Sequence, residues 1–325
     1  MIRAPQIFAA AAILAILVAG CDEQESPAPI NVKLNWQHGA DFIGFYVARN
    51  KGYFEEEGLE VTIHALSEPA KTKDMFEAVA AAEFEFSLAG GSLAEAQARG
   101  LPLVAIANIN KFSPATLFAR RESEIVTPAD LAGKRIAVKN DNWRGSIEEL
   151  LQQFDLSLEN VIEVPAGFDM KPFFDGEVDV WAGFIQDEPV RARLAGLDIV
   201  TLPLHEYGKQ TAAMTIFTHR DIVRDSPGMA TNFIRATLRG WQWAIENPEM
   251  AVGLLIEERP ELGEDREFQI ASLLASVPLI IPPGAELGAI DCAEWLADPL
   301  LAGLPGKKEL CTEQLFANAT GRAGQ

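Results

Sequence analysis

The chain has 325 residues, with 27 Lys+Arg against 47 Asp+Glu and a formal net charge of −20 at pH 7. Nucleic-acid binding needs a basic footprint, so this balance excludes it and predicts an acidic, solvated surface. The length suits two lobes of ordinary domain size better than one core.

The first 20 residues carry one charged side chain, Arg3, followed by an apolar run from Ile7 to Val18. Such a run is short for a membrane span and precedes small residues, as in a secretory signal. The site Leu17-Val18-Ala19-Gly20-Cys21 resembles a bacterial lipobox, in which Cys21 is lipidated and becomes the first mature residue; a signal anchor with an accidental cysteine is the alternative. Two or three acyl chains hold a protein to a membrane stably where one does not. Asp22, after the cysteine, resembles a signal for retention at the inner membrane. The expectation is a lipid-anchored protein outside the cytoplasm, with residues 1–20 as signal peptide. The polar, proline-rich residues 21–30 then form a tether.

Beyond the tether, strand-like and helix-like segments alternate. Ile30, Val32 and Leu34 alternate with polar residues and predict a strand. Residues 43–51 predict a helix closed by Gly52, and residues 59–63 a second strand. Helix-like residues 70–81 and a strand at 84–88 follow. Gly90 and Gly91 then lead into a helix ending at Gly100, with another strand at 103–107. A second such run starts near residue 120. Thr127 caps a short helix with Pro128 at its first position, and 135–138 is a strand. Ile147, Leu150, Leu151 and Phe154 form one apolar helical face. Residues 161–164, 178–184 and 199–202 are further strands, and from Ser226 the chain reads as helical through Trp241 and Trp243 to Glu258. These two tryptophans read as core.

This βαβ alternation predicts an α/β fold of two lobes, each a mostly parallel sheet flanked by helices, with a ligand cleft between them. The apolar stretches 115–119 and 213–218 are the candidate crossing strands. Lobe 1 would then comprise 30–116 and 216–325, and lobe 2 residues 117–215. Hinged lobes that close on a guest are a recognised mode of capture. Apart from Cys21, two cysteines remain, Cys292 and Cys311. In an oxidising compartment they suit a single disulfide, with two buried thiols as the alternative.

Several phrases resemble the family of thiamine-pyrimidine-precursor binding proteins. They are Leu34-Asn35-Trp36-Gln37; Phe42 to Ala48; Lys51-Gly52-Tyr53-Phe54 with Glu55 to Val61; Asp130 to Ile136; Gly176-Glu177-Val178-Asp179-Val180; and Asp187-Glu188-Pro189. They span roughly residues 31–250. The resemblance implies the periplasmic-binding-protein type II fold and a role as the solute-binding component of an ABC importer. Its partners would be a permease, an ATPase and a small flat heteroaromatic solute. The family also contains enzymes that build the thiamine pyrimidine from their own histidine and pyridoxal phosphate. Those carry a cysteine-rich motif, whereas this chain has no cysteine between 22 and 291. Pyrimidine-binding members often hold a histidine where this chain has Phe42, a departure that moves it toward riboflavin importers. Nitrate and aliphatic-sulfonate binders are more distant relatives.

Trp36 ends the first strand, where ligands of α/β folds lie. An indole there offers a stacking face worth about 1–3 kcal/mol per ring. Gln37 and His38, in the same loop, offer hydrogen bonds to ring edges. Gly91 and Ser92, between strand and helix, let backbone approach a ligand closely. Asn142 and Trp143 belong to the matching turn of lobe 2, read here as a loop. Glu188, before Pro189, is the preferred polar anchor: in the family the matching glutamate reaches a ring nitrogen or amino group of the ligand. A carboxylate accepting from a ring N–H makes a charge-assisted hydrogen bond. Tyr207 is a further aromatic candidate. The four histidines, His38, His64, His205 and His219, are isolated. No G-x-S-x-G elbow, phosphate loop or H-E-x-x-H pattern occurs, so neither catalysis, metal nor cofactor is expected.

Overall fold

The computed structural model describes residues 28–68, 74–208 and 213–322. Cys21, Asp22 and the signal segment lie outside the described residues. Among the described residues, ten strands form two five-stranded sheets. In chain order they are β1 (Ala28–Lys33), β2 (Leu59–His64), β3 (Phe86–Ala89), β4 (Leu103–Asn110), β5 (Ala115–Arg120), β6 (Arg135–Val138), β7 (Ile162–Pro165), β8 (Val180–Phe184), β9 (Ile199–Pro203) and β10 (Ala213–His219). The first sheet has the order β2-β1-β3-β10-β4 and the second β7-β6-β8-β5-β9. β1 starts at Ala28, inside the segment read from sequence as tether.

Both sheets are mixed but mostly parallel, as expected: in each, four strands share one direction and a single strand opposes them. β1 pairs in parallel with β2 and β3, and β6 with β7 and β8. In contrast, β10 runs antiparallel to β3 and β4, and β5 antiparallel to β8 and β9. β4 enters the first sheet, the chain passes through residues 111–114, and β5 runs back into the second. β5 therefore starts where the parallel strands of its sheet end, and must point against them.

Apolar side chains on the strand faces meet helices on both sides. In the first sheet Ile30, Val32, Phe86, Leu88 and Ile216 join one core with the helices Ile43–Asn50 and Pro227–Glu246. These two helices cross at glycines. A Cβ on Gly240 would stand 2.1 Å from the Gly44 carbonyl oxygen, and one on Gly44 would stand 2.2 Å from the Trp241 ring. Trp241 fills that crossing and is buried, as expected of it. Phe233 stacks on Phe86 with centroids 3.9 Å apart. In the second sheet Leu117, Ile136 and Val180 pack under the helix Asp141–Gln152.

Cys292 and Cys311 are joined in a disulfide, with Cα atoms 5.5 Å apart. The bond ties the helix Cys292–Trp295 to the edge of the first sheet, where Cys311 bridges Ala105 of β4.

Candidate functional site

The registers set β1, β3 and β4 in one direction, so their carboxyl ends share an edge of the first sheet. Those of β6, β7, β8 and β9 share an edge of the second. Residues 111–114 join the two edges, and Phe112 there stacks on His205, just past β9, at 5.0 Å. Ligands of α/β sheets lie beyond carboxyl ends of strands. The candidate site is therefore the space served by both edges.

At the first edge, β1 ends in the loop carrying Trp36, Gln37 and His38. Trp36 is 54% exposed, so its indole face is available for stacking. Gln37 accepts a hydrogen bond from the Ser67 hydroxyl at 2.6 Å. His38 is held at both ring nitrogens, Nδ1 by a hydrogen bond with the Tyr46 hydroxyl and Nε2 by one with the Glu68 carboxylate at 2.7 Å. These contacts make His38 a brace of the loop rather than a free hydrogen-bonding group. Glu68 is pushed up by burial but more than compensated by His38, His64 and a backbone N–H, and lies below its ordinary value. Beneath it the buried Lys33 ammonium donates to the carbonyls of Ala65 and Glu68, each at 2.7 Å. Burial lowers the Lys33 pKa. Gly91 and Ser92 follow β3, the neighbour of β1, and both are exposed.

One reading at this edge requires correction. Phe42 is 1% exposed within the apolar core and presents no face to a guest. It closes a 3-10 turn, Ala40–Phe42, whose Ala40 N–H is held by the Gln269 carboxamide at 2.8 Å; the turn buries the ring beneath the next helix. Tyr207, past β9, packs edge-on against Phe154 at 5.7 Å and lines a small crevice with Ser146, Glu149, Leu150 and Gln153. Burial raises its hydroxyl pKa.

At the second edge, Asn140 caps the helix Asp141–Gln152 by accepting from the Trp143 N–H at 3.1 Å. The stretch read as a loop is thus the first turn of a helix. Asn142 is exposed on it, and Trp143 turns inward against Phe184, with centroids 5.5 Å apart. Glu188 opens the helix Glu188–Leu194 and is buried. Its Oε2 accepts from the Phe184 N–H at 2.9 Å, and its Oε1 forms an ion pair with Lys139.

Lys139 is the residue that sequence reasoning missed. It stands at the end of β6, its side chain 2% exposed. Its ammonium lies 5.6 Å from the Trp181 ring centroid, 5.7 Å from Trp143 and 5.8 Å from Phe168. A desolvated cation among aromatic faces is stabilised by ring quadrupoles as well as by its carboxylate. Phe168 and Phe184 remain exposed, at 76% and 42%, and form an aromatic rim beside the pair. Glu188 thus reaches a partner within the protein, rather than standing as a lone anchor.

The two loops approach one another. The loop of Trp36 runs on into Asp41, whose carboxyl faces Gln186 and the negative charge of Asp187, next to Glu188. Burial first, and Asp187 second, push the Asp41 pKa up to about 6, with Gln186 opposing. Nearby, the Arg191 guanidinium stacks 3.8 Å above the Phe268 ring, linking the helices Glu188–Leu194 and Arg266–Ile280. Among the described residues no cluster of His, Cys, Asp and Glu has the makings of a metal site, and no helix is long and apolar enough to cross a membrane.

The chain is similar to the formylaminopyrimidine-binding protein of Halalkalibacterium halodurans, at 25% identity over 296 residues, covering 87% of this chain and 89% of the relative. It is similar to the riboflavin-binding protein RibY of Chloroflexus aurantiacus, at 26% identity over 259 residues, covering 77% and 72%. A 4-amino-5-hydroxymethyl-2-methylpyrimidine phosphate synthase of Legionella pneumophila also matches, at 25% identity over 238 residues, covering 72% and 74%. Among solved structures, the periplasmic aliphatic sulphonate binding protein SsuA of Escherichia coli superposes with a TM-score of 0.63 at 18% identity, covering 84% of each chain. That likeness establishes the fold as the two-lobed α/β periplasmic-binding type. The NMT1/THI5-like family model matches residues 39–251, and the chain belongs to that family.

Proposed function

We propose that the chain is the solute-binding component of an ABC importer, and that it captures a flat heteroaromatic vitamin precursor of the thiamine pyrimidine class. The observation that carries this reading is the match along nearly the whole chain to a relative named for binding a formylaminopyrimidine. The site supports it: an exposed indole stands at the end of β1 in one sheet, and an aromatic rim borders a buried ion pair at the corresponding end of the other. Trp36 supplies the stacking surface. Lys139 holds Glu188 and the rim in place.

Riboflavin is the second reading, favoured by the RibY relative. We place the protein outside the cytoplasm, anchored through Cys21, with a permease and an ATPase as partners. Catalysis is not part of the proposal, because the cysteine-rich motif of the pyrimidine-making enzymes is missing from the sequence.

Isothermal titration of the purified protein with formylaminopyrimidine, riboflavin, ethanesulfonate and nitrate tests the reading. One-to-one binding of a ring compound is expected. Binding of an anion alone would overturn it.

A further inference from the structure

Three buried side chains at the carboxyl edge of the first sheet have oxygens that meet no hydrogen-bond partner: Asn108 Oδ1, Asn110 Oδ1 and Thr215 Oγ1. Their residues are 6%, 3% and 0% exposed. β4 carries both asparagines two positions apart, which puts them on one face of the strand. β10 pairs Thr215 directly with Asn108 and Ala213 with Asn110, so all three side chains share that face as immediate neighbours. Thr215 also pairs with Ala89, the last residue of β3, beside the turn of Gly91 and Ser92. The group stands where β4 ends and residues 111–114 leave for the second sheet.

The backbone around these side chains is satisfied. Asn108 N–H donates to the Gly288 carbonyl at 3.0 Å, and the Asn108 carbonyl accepts from Lys111 Nζ at 3.0 Å. Lys111 Nζ also donates to the Ala289 carbonyl. An unpaired buried polar atom is costly, and native proteins rarely hold several together without a partner to meet them.

We infer that Asn108, Asn110 and Thr215 form the floor of the solute site and select a guest with a neutral edge of hydrogen-bonding groups. The inference rests on reading the two carboxyl edges as the solute site. Three uncharged groups that can accept and donate, crowded at one end of the cleft, suit the edge of an aminopyrimidine or an imide ring.

Thr215→Val keeps the side-chain shape and removes the hydroxyl; the pair Asn108→Leu with Asn110→Leu removes both carboxamides. Each is titrated with formylaminopyrimidine and with riboflavin. Each is also examined by native mass spectrometry for small molecules retained from bacterial extract. The expected result is a loss of affinity of about tenfold for Thr215→Val, the size of one hydrogen bond, with the melting temperature of the empty protein unchanged or raised. A lowered melting temperature with unchanged affinity would assign the three groups to ordered water only and overturn the inference. If wild-type protein binds neither ring compound but retains another solute, the vitamin-precursor reading fails by itself. The floor is then upheld if Thr215→Val loses that solute and overturned if it keeps it. Wild-type protein that binds an anion or retains nothing overturns the floor as well.

Discussion

Gly183 makes the place for the Glu188 carboxylate: a Cβ built on it would stand 2.5 Å from Oε2 and 2.7 Å from Cδ. The glycine lies in β8, and the glutamate folds back from the following helix to accept the Phe184 N–H beside it. Gly183→Ala is therefore expected to displace the carboxylate from Lys139. The cost is about 1–3 kcal/mol, the range for overpacking a filled interior. Urea unfolding reads this directly, and a variant as stable as wild type would show that the carboxylate can relocate freely.

Lys139 and Glu188 are nearly sealed from water, so breaking the pair from one side costs more than removing it. Lys139→Met alone strands a buried carboxylate and is expected to lose about 3–5 kcal/mol. Lys139→Met with Glu188→Gln leaves no lone charge and should recover much of that loss. A double-mutant cycle by chemical denaturation measures the coupling.

Trp36 is the opposite case. With more than half of its surface exposed, it supports little of the fold. Trp36→Ala is expected to change stability by less than about 0.5 kcal/mol, while affinity for the stacked ring falls about tenfold or more. Calorimetry beside a thermal melt separates the two effects.

Asp41 gives the fold a pH dependence of its own. Its pKa rises from 3.8 to about 6 because burial and Asp187 disfavour the charged form. Between those values the folded protein keeps a proton that the unfolded chain releases. The favourable contribution is thus fully present below pH 3.8 and is lost as pH climbs through about 6. A shift of about two units corresponds to about 3 kcal/mol. Asp41→Asn is expected to be more stable than wild type at pH 7.5, with the gap closing at pH 4. Urea titrations at both pH values check this, and a gap independent of pH would refute it.

The disulfide closes a short loop, with its cysteines 19 positions apart. The double variant Cys292→Ser with Cys311→Ser is expected to lose about 3 kcal/mol. The same loss should appear in wild-type protein melted under reducing conditions.

Alternation and turn chemistry made most strands and helices legible in the sequence: the strand at 135–138 and the Thr127 cap lie where the pattern puts them. Strand direction was not legible. β5 and β10 read as apolar runs, and an apolar run has no sense of parallel or antiparallel. Side-chain partnership was hidden for a similar reason. Lys139 looks like a solvated lysine in a turn until β8 brings Glu188, 49 positions away, against it. Phe42 drew attention by occupying a family ligand position, but the 3-10 turn ahead of it decides which way the ring points. Trp143 lay behind a readable cap: Asn140 signals a helix start, and the polar residues after it read as a loop.

The order β2-β1-β3-β10-β4 has a consequence for how the chain is made. β10 is an interior strand of the first sheet but arrives late in synthesis, after every strand of the second. While the nascent chain is shorter than 219 residues, β3 and β4 have no middle neighbour, and their inner edges stay open to mispairing. The second sheet draws only on residues 115–203 and can assemble meanwhile. A chain halted or clipped before residue 213 would therefore carry one finished half and one half with a slot in it, a ready target for quality-control proteases.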